Sequence, residues 1–106
     1  MNALEQSILN KFKQEVASLL PLHKMVLFGS RARGDGDDDS DMDVLVVLNV
    51  PVDAAARHCV AECAWKAGFD DGIVVVPIAV SRQEWEEGPD RSSLLALAVA
   101  EDGVAV

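Results

Sequence analysis

Asp41 and Asp43 are the residues of this chain whose type and spacing could do chemistry. They open onto Val44-Leu45-Val46-Val47-Leu48, a β-branched, apolar run that predicts a buried strand. Residues two apart on a strand share a face, so both carboxylates project together and Met42 turns away. Their Cα atoms then stand about 6.5 Å apart, and the two acids can share one small, oxygen-seeking cation. Mg²⁺ suits such a pair, because it keeps several waters, takes one or two protein carboxylates and completes its shell with substrate phosphate. Upstream, Val26-Leu27-Phe28 predicts a second buried strand, closed by a turn at Gly29-Ser30. Glycine lets the main chain approach a phosphate closely, N–H groups at a following helix start attract anions, and Ser30 adds a hydroxyl.

Two other phosphate or metal patterns fail on the same residues. Gly29 and Gly34 have the spacing of a P-loop's glycines, but Asp35-Gly36 stands where Lys and Ser or Thr must follow. Asp35, Asp37 and Asp39 imitate the first ligands of a calcium loop, yet Ser40 replaces its glycine and Val46 its bidentate glutamate. Asp35, Asp37, Asp38 and Asp39 are therefore expected to form a solvated acidic loop.

The elements that must position these residues are legible from periodicity. Leu4, Ile8, Phe12, Val16 and Leu19 or Leu20 recur at helical spacing, predicting an amphipathic first helix that Pro21 ends. After the second strand, Asp53 is expected to cap a helix over Ala54–Ala67, closed by Gly68, with Ala56, Cys59, Val60, Cys63 and Ala67 on its packing face. Trp65 falls away from that seam. Ile73 to Val80 reads as a third strand, in which Pro77 requires an end, a bulge or an edge. Ser81-Arg82-Gln83-Glu84 is a capping box for a short helix that stops near Gly88. Pro89 or Asp90 then opens a last helix to about Ala100. The order helix, strand, strand, helix, strand, helix describes an α+β fold, a small mixed sheet with helices mainly on one face, and the 106 residues make one domain.

Charge narrows the function classes. The net charge of −9 argues against direct nucleic-acid binding, which draws its affinity from lysine and arginine. Six aspartates among the nine residues from Asp35 to Asp43 repel one another, and a divalent cation relieves that repulsion. No stretch is long and apolar enough to span a membrane or serve as a secretory signal, so a cytoplasmic protein is expected. Cys59 and Cys63, four apart on a predicted helix with His58 beside them, lack a second ligand pair at zinc spacing and read as small packing residues. His23 has no motif partner and reads as a surface residue.

Gly29-Ser30, ten residues, then Asp41-Met42-Asp43, with Arg31-Ala32-Arg33-Gly34 and Ser40 between, resembles the nucleotidyltransferase superfamily that includes the DNA polymerase β palm. Among its members the closest in pattern are the minimal nucleotidyltransferases. The resemblance implies a nucleotidyltransferase fold and transfer of a nucleoside monophosphate from an NTP, ATP being the natural candidate, to an acceptor hydroxyl, with release of pyrophosphate. It implies that Asp41 and Asp43 bind Mg²⁺ and act in catalysis while Gly29, Ser30 and Arg33 hold the nucleotide. For Arg33, and for Arg31, an ion pair with the aspartate loop is an equal alternative. Members of the family usually carry a third carboxylate on a neighbouring strand, and matching the strand ends puts Ile78 there. Asp70 and Asp71 are expected near the opposite end of that strand. A non-catalytic interaction module, such as the antitoxin partner of a HEPN-domain toxin, is the alternative function. Trp65, Trp85 and the Leu94–Val99 helix offer apolar surface for that partner or for a homodimer.

Overall fold

Asn2 starts the first helix by exchanging hydrogen bonds with Glu5: the Glu5 N–H donates to Asn2 Oδ1 at 2.8 Å, and the Asn2 N–H donates to Glu5 Oε1 at 2.9 Å. Helix α1 (Ala3–Leu19) follows and ends where Leu20 turns extended ahead of Pro21. The computed structural model describes residues 1–37, 39–88 and 93–106. Asp38 lies outside them, as does the expected helix opening at Pro89 or Asp90. Ile8, Leu9, Phe12 and Val16 are buried, but Leu4 is 44% exposed and Leu19 58% exposed. In the first turn Glu5 points inward instead, and one residue's rotation of about 100° then carries Leu4 into solvent.

Strands β1 (Leu22–Phe28) and β2 (Met42–Leu48) pair antiparallel, with Leu27 opposite Val44 and Phe28 opposite Asp43. Asp53 caps helix α3 (Ala54–Phe69), its side chain accepting from the Ala56 N–H at 2.8 Å. This helix is the crossover that a parallel neighbour demands, and β3 (Val75–Ser81) duly runs parallel to β2. α3 passes Gly68 to Phe69, because Gly68 serves close approach: a Cβ there would lie 1.9 Å from the Ile73 carbonyl oxygen. Ser81 caps helix α4 (Arg82–Glu87), and Ser93 caps helix α5 (Leu94–Asp102). A two-residue strand β4 (Val104–Ala105), too short to read from sequence, joins β1 antiparallel, giving the sheet order β3-β2-β1-β4.

Strand alternation divides the core in two. Met25, Leu27, Met42, Val44, Val46 and Leu48 face α1 and α3 and form the larger cluster. Val26, Phe28, Leu45 and Val47 face the other way, covered by Trp85 of α4 and by Leu95, Ala98 and Val99 of α5. Asp43 belongs to this second face, since it alternates with Met42 and Val44. Pro77 sits inside β3, the edge strand, opposite Val44. Because the Met42 N–H donates to the Val74 carbonyl at 2.9 Å, the ladder turns the Val76 and Ile78 N–H groups toward β2 and leaves the missing donor of Pro77 on the open edge. No helix among the described residues is long and apolar enough to cross a membrane.

Candidate functional site

The end of β1 and the start of β2 meet at Gly29 and Asp43. Gly29 has φ 79° and ψ −158°, a conformation that strains any side-chain-bearing residue, and a Cβ on it would stand 2.5 Å from Asp43 Oδ2. Its carbonyl accepts from the Ala32 and Arg33 N–H groups, both at 3.1 Å, and so starts the single turn α2 (Ser30–Arg33). The chain then folds back, with the Asp35 and Gly36 N–H groups donating to the Ser30 carbonyl at 3.2 Å each. Gly36 lies over the Ser30 and Ser40 hydroxyls, which a Cβ would meet at 2.9 and 3.1 Å. Asp35, Asp37 and Asp39 are exposed as expected of a solvated loop, but Asp37 also organises it, accepting from the Asp39 N–H and the Ser40 hydroxyl at 3.0 and 3.1 Å.

Asp41 is exposed immediately before β2, and Asp43 is half-buried on its second residue. Burial, and then the charge of Asp41, raises the Asp43 carboxyl above the usual carboxylate range. The two acids therefore sense each other as their same-face spacing requires. Among the described residues no three His, Cys, Asp or Glu side chains gather as a metal-binding cluster. A pair fits Mg²⁺ with its waters and a substrate phosphate, and the side-chain-free space at Gly29 beside Asp43 is consistent with close approach of that phosphate.

The register corrects the expected place of a third carboxylate. Parallel pairing sets Val76 level with Asp43 and Ile78 level with Leu45, two pairs further from the site. The residue that neighbours Asp43 is thus Val76, and it too is apolar. Parallel pairing also brings the turn before β3 to the same end of the sheet as Asp41, not to the opposite end. Asp71 there pairs with Lys11 of α1 at 3.8 Å, on the side of the sheet that α1 and α3 cover, while Asp43 belongs to the face that α4 and α5 cover.

The two arginines of the turn separate sharply. Arg33 is exposed and bonded to Asp35 and Asp102, each at 3.2 Å, and those hydrogen bonds, Asp35 first, raise its pKa further. Arg31 is buried, with Nη1 on Glu5 Oε2 at 3.1 Å and Nε on the Ser40 carbonyl at 2.7 Å. Glu5 escaped the sequence reading; the signal that could have found it is the capping position three residues after Asn2. Burial pushes the Cys63 thiol up to about 11, as suits a packing residue. His23 faces Glu86 at 3.9 Å, far from Asp43 in the strand register. Trp65 and Phe69 are each 64% exposed on α3, with ring centroids 5.5 Å apart.

A family model described as a nucleotidyltransferase domain matches residues 9–98. None of the curated protein sequences compared with the chain is a match. Among solved structures, a toxin–antitoxin with AMP-PNP is 25% identical, covering 91% of this chain and 69% of its own, with a TM-score of 0.62. A mutant of the toxin–antitoxin MntA–HpeT is also 25% identical, covering 92% and 69%, with a TM-score of 0.61. A Sulfolobus solfataricus protein provisionally assigned as a nucleotidyltransferase is 24% identical over 99% of this chain and 86% of its own, with a TM-score of 0.56, a likeness of fold.

Proposed function

Because the chain belongs to the nucleotidyltransferase domain family, we propose that it acts as a single domain that transfers a nucleoside monophosphate from ATP to a hydroxyl of a protein partner. The observation that carries this reading is Asp43 set against Gly29, its carboxyl raised by burial and by the charge of Asp41. Asp41 and Asp43 would hold Mg²⁺, and Gly29 and Ser30 the phosphates. When bound, Mg²⁺ neutralises triphosphate charge and orients the reacting phosphate for in-line displacement. The acceptor oxygen bonds to the α-phosphorus as the bond to the bridging oxygen breaks and pyrophosphate leaves. The hydroxyl proton passes to solvent, since the side chain level with Asp43 is Val76. Arg33 joins the nucleotide by exchanging Asp35 and Asp102 for phosphate oxygens.

ATP as donor is supported by the AMP-PNP of the similar toxin–antitoxin. A protein acceptor, of the HEPN-toxin kind or a second copy of the chain, is supported by those toxin–antitoxin likenesses and by exposed Trp65, Phe69, Val74 and Leu94. Net charge disfavours nucleic acid. Val76 also favours a second reading, a domain that binds Mg²⁺-ATP and docks on its partner with little turnover.

Titration calorimetry with Mg²⁺-ATP tests the first step. Asp41→Asn and Asp43→Asn should each weaken binding strongly; unchanged affinity in both removes the site. Incubation with labelled ATP, Mg²⁺ and the neighbouring gene product separates the readings: label on the partner shows transfer, and stable unlabelled association shows docking.

A further inference from the structure

The buried arginine of the turn reaches toward the start of α1, to Glu5. We propose that Arg31 is a positioning residue that holds the main chain before Asp41 and, through Glu5, ties the carboxylate pair to the first turn of α1. The proposal rests on the reading of Asp41 and Asp43 as the Mg²⁺ and nucleotide site. Arg31 is 7% exposed and Glu5 6%. The Arg31 fork spends Nε on the Ser40 carbonyl at 2.7 Å and Nη1 on Glu5 Oε2 at 3.1 Å. The other Glu5 oxygen, Oε1, accepts from the Asn2 N–H at 2.9 Å. Ser40 is thus gripped on both sides, its carbonyl by Arg31 and its hydroxyl by Asp37.

The chemistry of the segment explains why a grip is needed. The aspartates from Asp35 to Asp43 repel one another, and that repulsion works against a fixed course for the main chain. A guanidinium beneath the main chain opposes it, and its rigid planar donors reach a carbonyl and a carboxylate at once, which an ammonium point charge does not. A buried ion pair confers little net stability over apolar side chains of the same volume. What Arg31 adds is therefore the hold on Ser40, the residue next to Asp41. Glu5 keeps the guanidinium charge compensated and aimed. Groups that orient a metal's ligands typically affect metal affinity about 10- to 100-fold.

The test compares the full chain with Arg31→Met and with Arg31→Met/Glu5→Met, by thermal unfolding, amide exchange and Mg²⁺-ATP calorimetry. Arg31→Met should lose stability, because it strands the Glu5 charge, and the double variant should regain it. In both, the Ser40 and Met42 amides, bonded in the wild type to the Asp37 and Val74 carbonyls, should exchange at least about tenfold faster, and affinity should fall about 10- to 100-fold. Exchange or affinity at the wild-type value in a double variant of wild-type stability overturns the proposal and leaves Arg31 as the counter-ion of Glu5. Where the double variant folds poorly, Arg31→Lys carries the same comparison, since it keeps a charge opposite Glu5 without the fork. A wild type that binds no Mg²⁺-ATP sinks the nucleotide reading separately. The exchange data then decide alone, with unchanged protection overturning the relay and faster exchange sustaining it.

Discussion

The carboxylate of Asp43 lies against the α-carbon of Gly29, so close that a Cβ there would stand 2.5 Å from Oδ2. The strand register that sets Phe28 opposite Asp43 produces this contact, and the positive φ of Gly29 lets the chain turn away directly after it. Gly29→Ala is therefore expected to cost about 1–3 kcal/mol in backbone strain alone. It should also displace Asp43 and weaken Mg²⁺-ATP binding. Denaturant unfolding and calorimetry on the same preparation measure both; an alanine variant with native stability and affinity would show that the turn tolerates a side chain.

Asp43 gives stability a pH dependence of known sign. Its folded pKa lies above the ordinary 3.8, so the folded state holds this proton more tightly than the unfolded state. Stability from this group is lost as pH rises from 3.8 through the folded value. Asp43→Asn should then unfold at a higher temperature than the wild type at pH 7, with the difference shrinking toward pH 3. Millimolar Mg²⁺ should raise the wild-type midpoint at pH 7 and leave the Asn variant unmoved.

Arg33 is held between Asp35 and Asp102, carboxylates that phosphate would have to replace. Asp102→Asn should leave the guanidinium held by Asp35 alone and strengthen ATP binding about two- to fivefold, the scale of an exposed ion pair, with the gain vanishing at high salt. Equal affinity in wild type and variant, at low salt, would assign Arg33 to pinning α5 against the turn.

Val76 is the position from which a third carboxylate would reach Asp43. Val76→Asp should raise single-turnover transfer of AMP by about 10²- to 10⁴-fold, the usual contribution of a positioned base. Ile78→Asp, level with fully buried Leu45, should lose stability without gaining rate. A wild type already transferring at about 1–10³ per second, ordinary for enzymes, would show that Val76 leaves nothing missing.

The residues of the candidate site could be picked out in the sequence because the signals that place them together are local. Asp41 and Asp43 share a face by the two-residue period of a strand, and Gly29-Ser30 marks a turn by composition. Asp53 and Ser81 cap helices through hydrogen bonds to residues three positions on. Pro77 predicted a strand end, a bulge or an edge, because a missing donor is tolerated only at such places.

Tertiary structure decided what depends on partners distant in sequence. Arg31 and Arg33 are chemically the same and two residues apart, yet one meets Glu5 across 26 positions and the other Asp102 across 69. Composition cannot say which carboxylate the fold delivers to which guanidinium. The level of β3 against β2 is likewise set by a crossover helix packing on the sheet, so periodicity foretold the strand but not that Val76, in place of Ile78, would stand beside Asp43. Hydrogen bonds within four residues are written in the local sequence; register and charge pairing are settled only when whole faces are buried together.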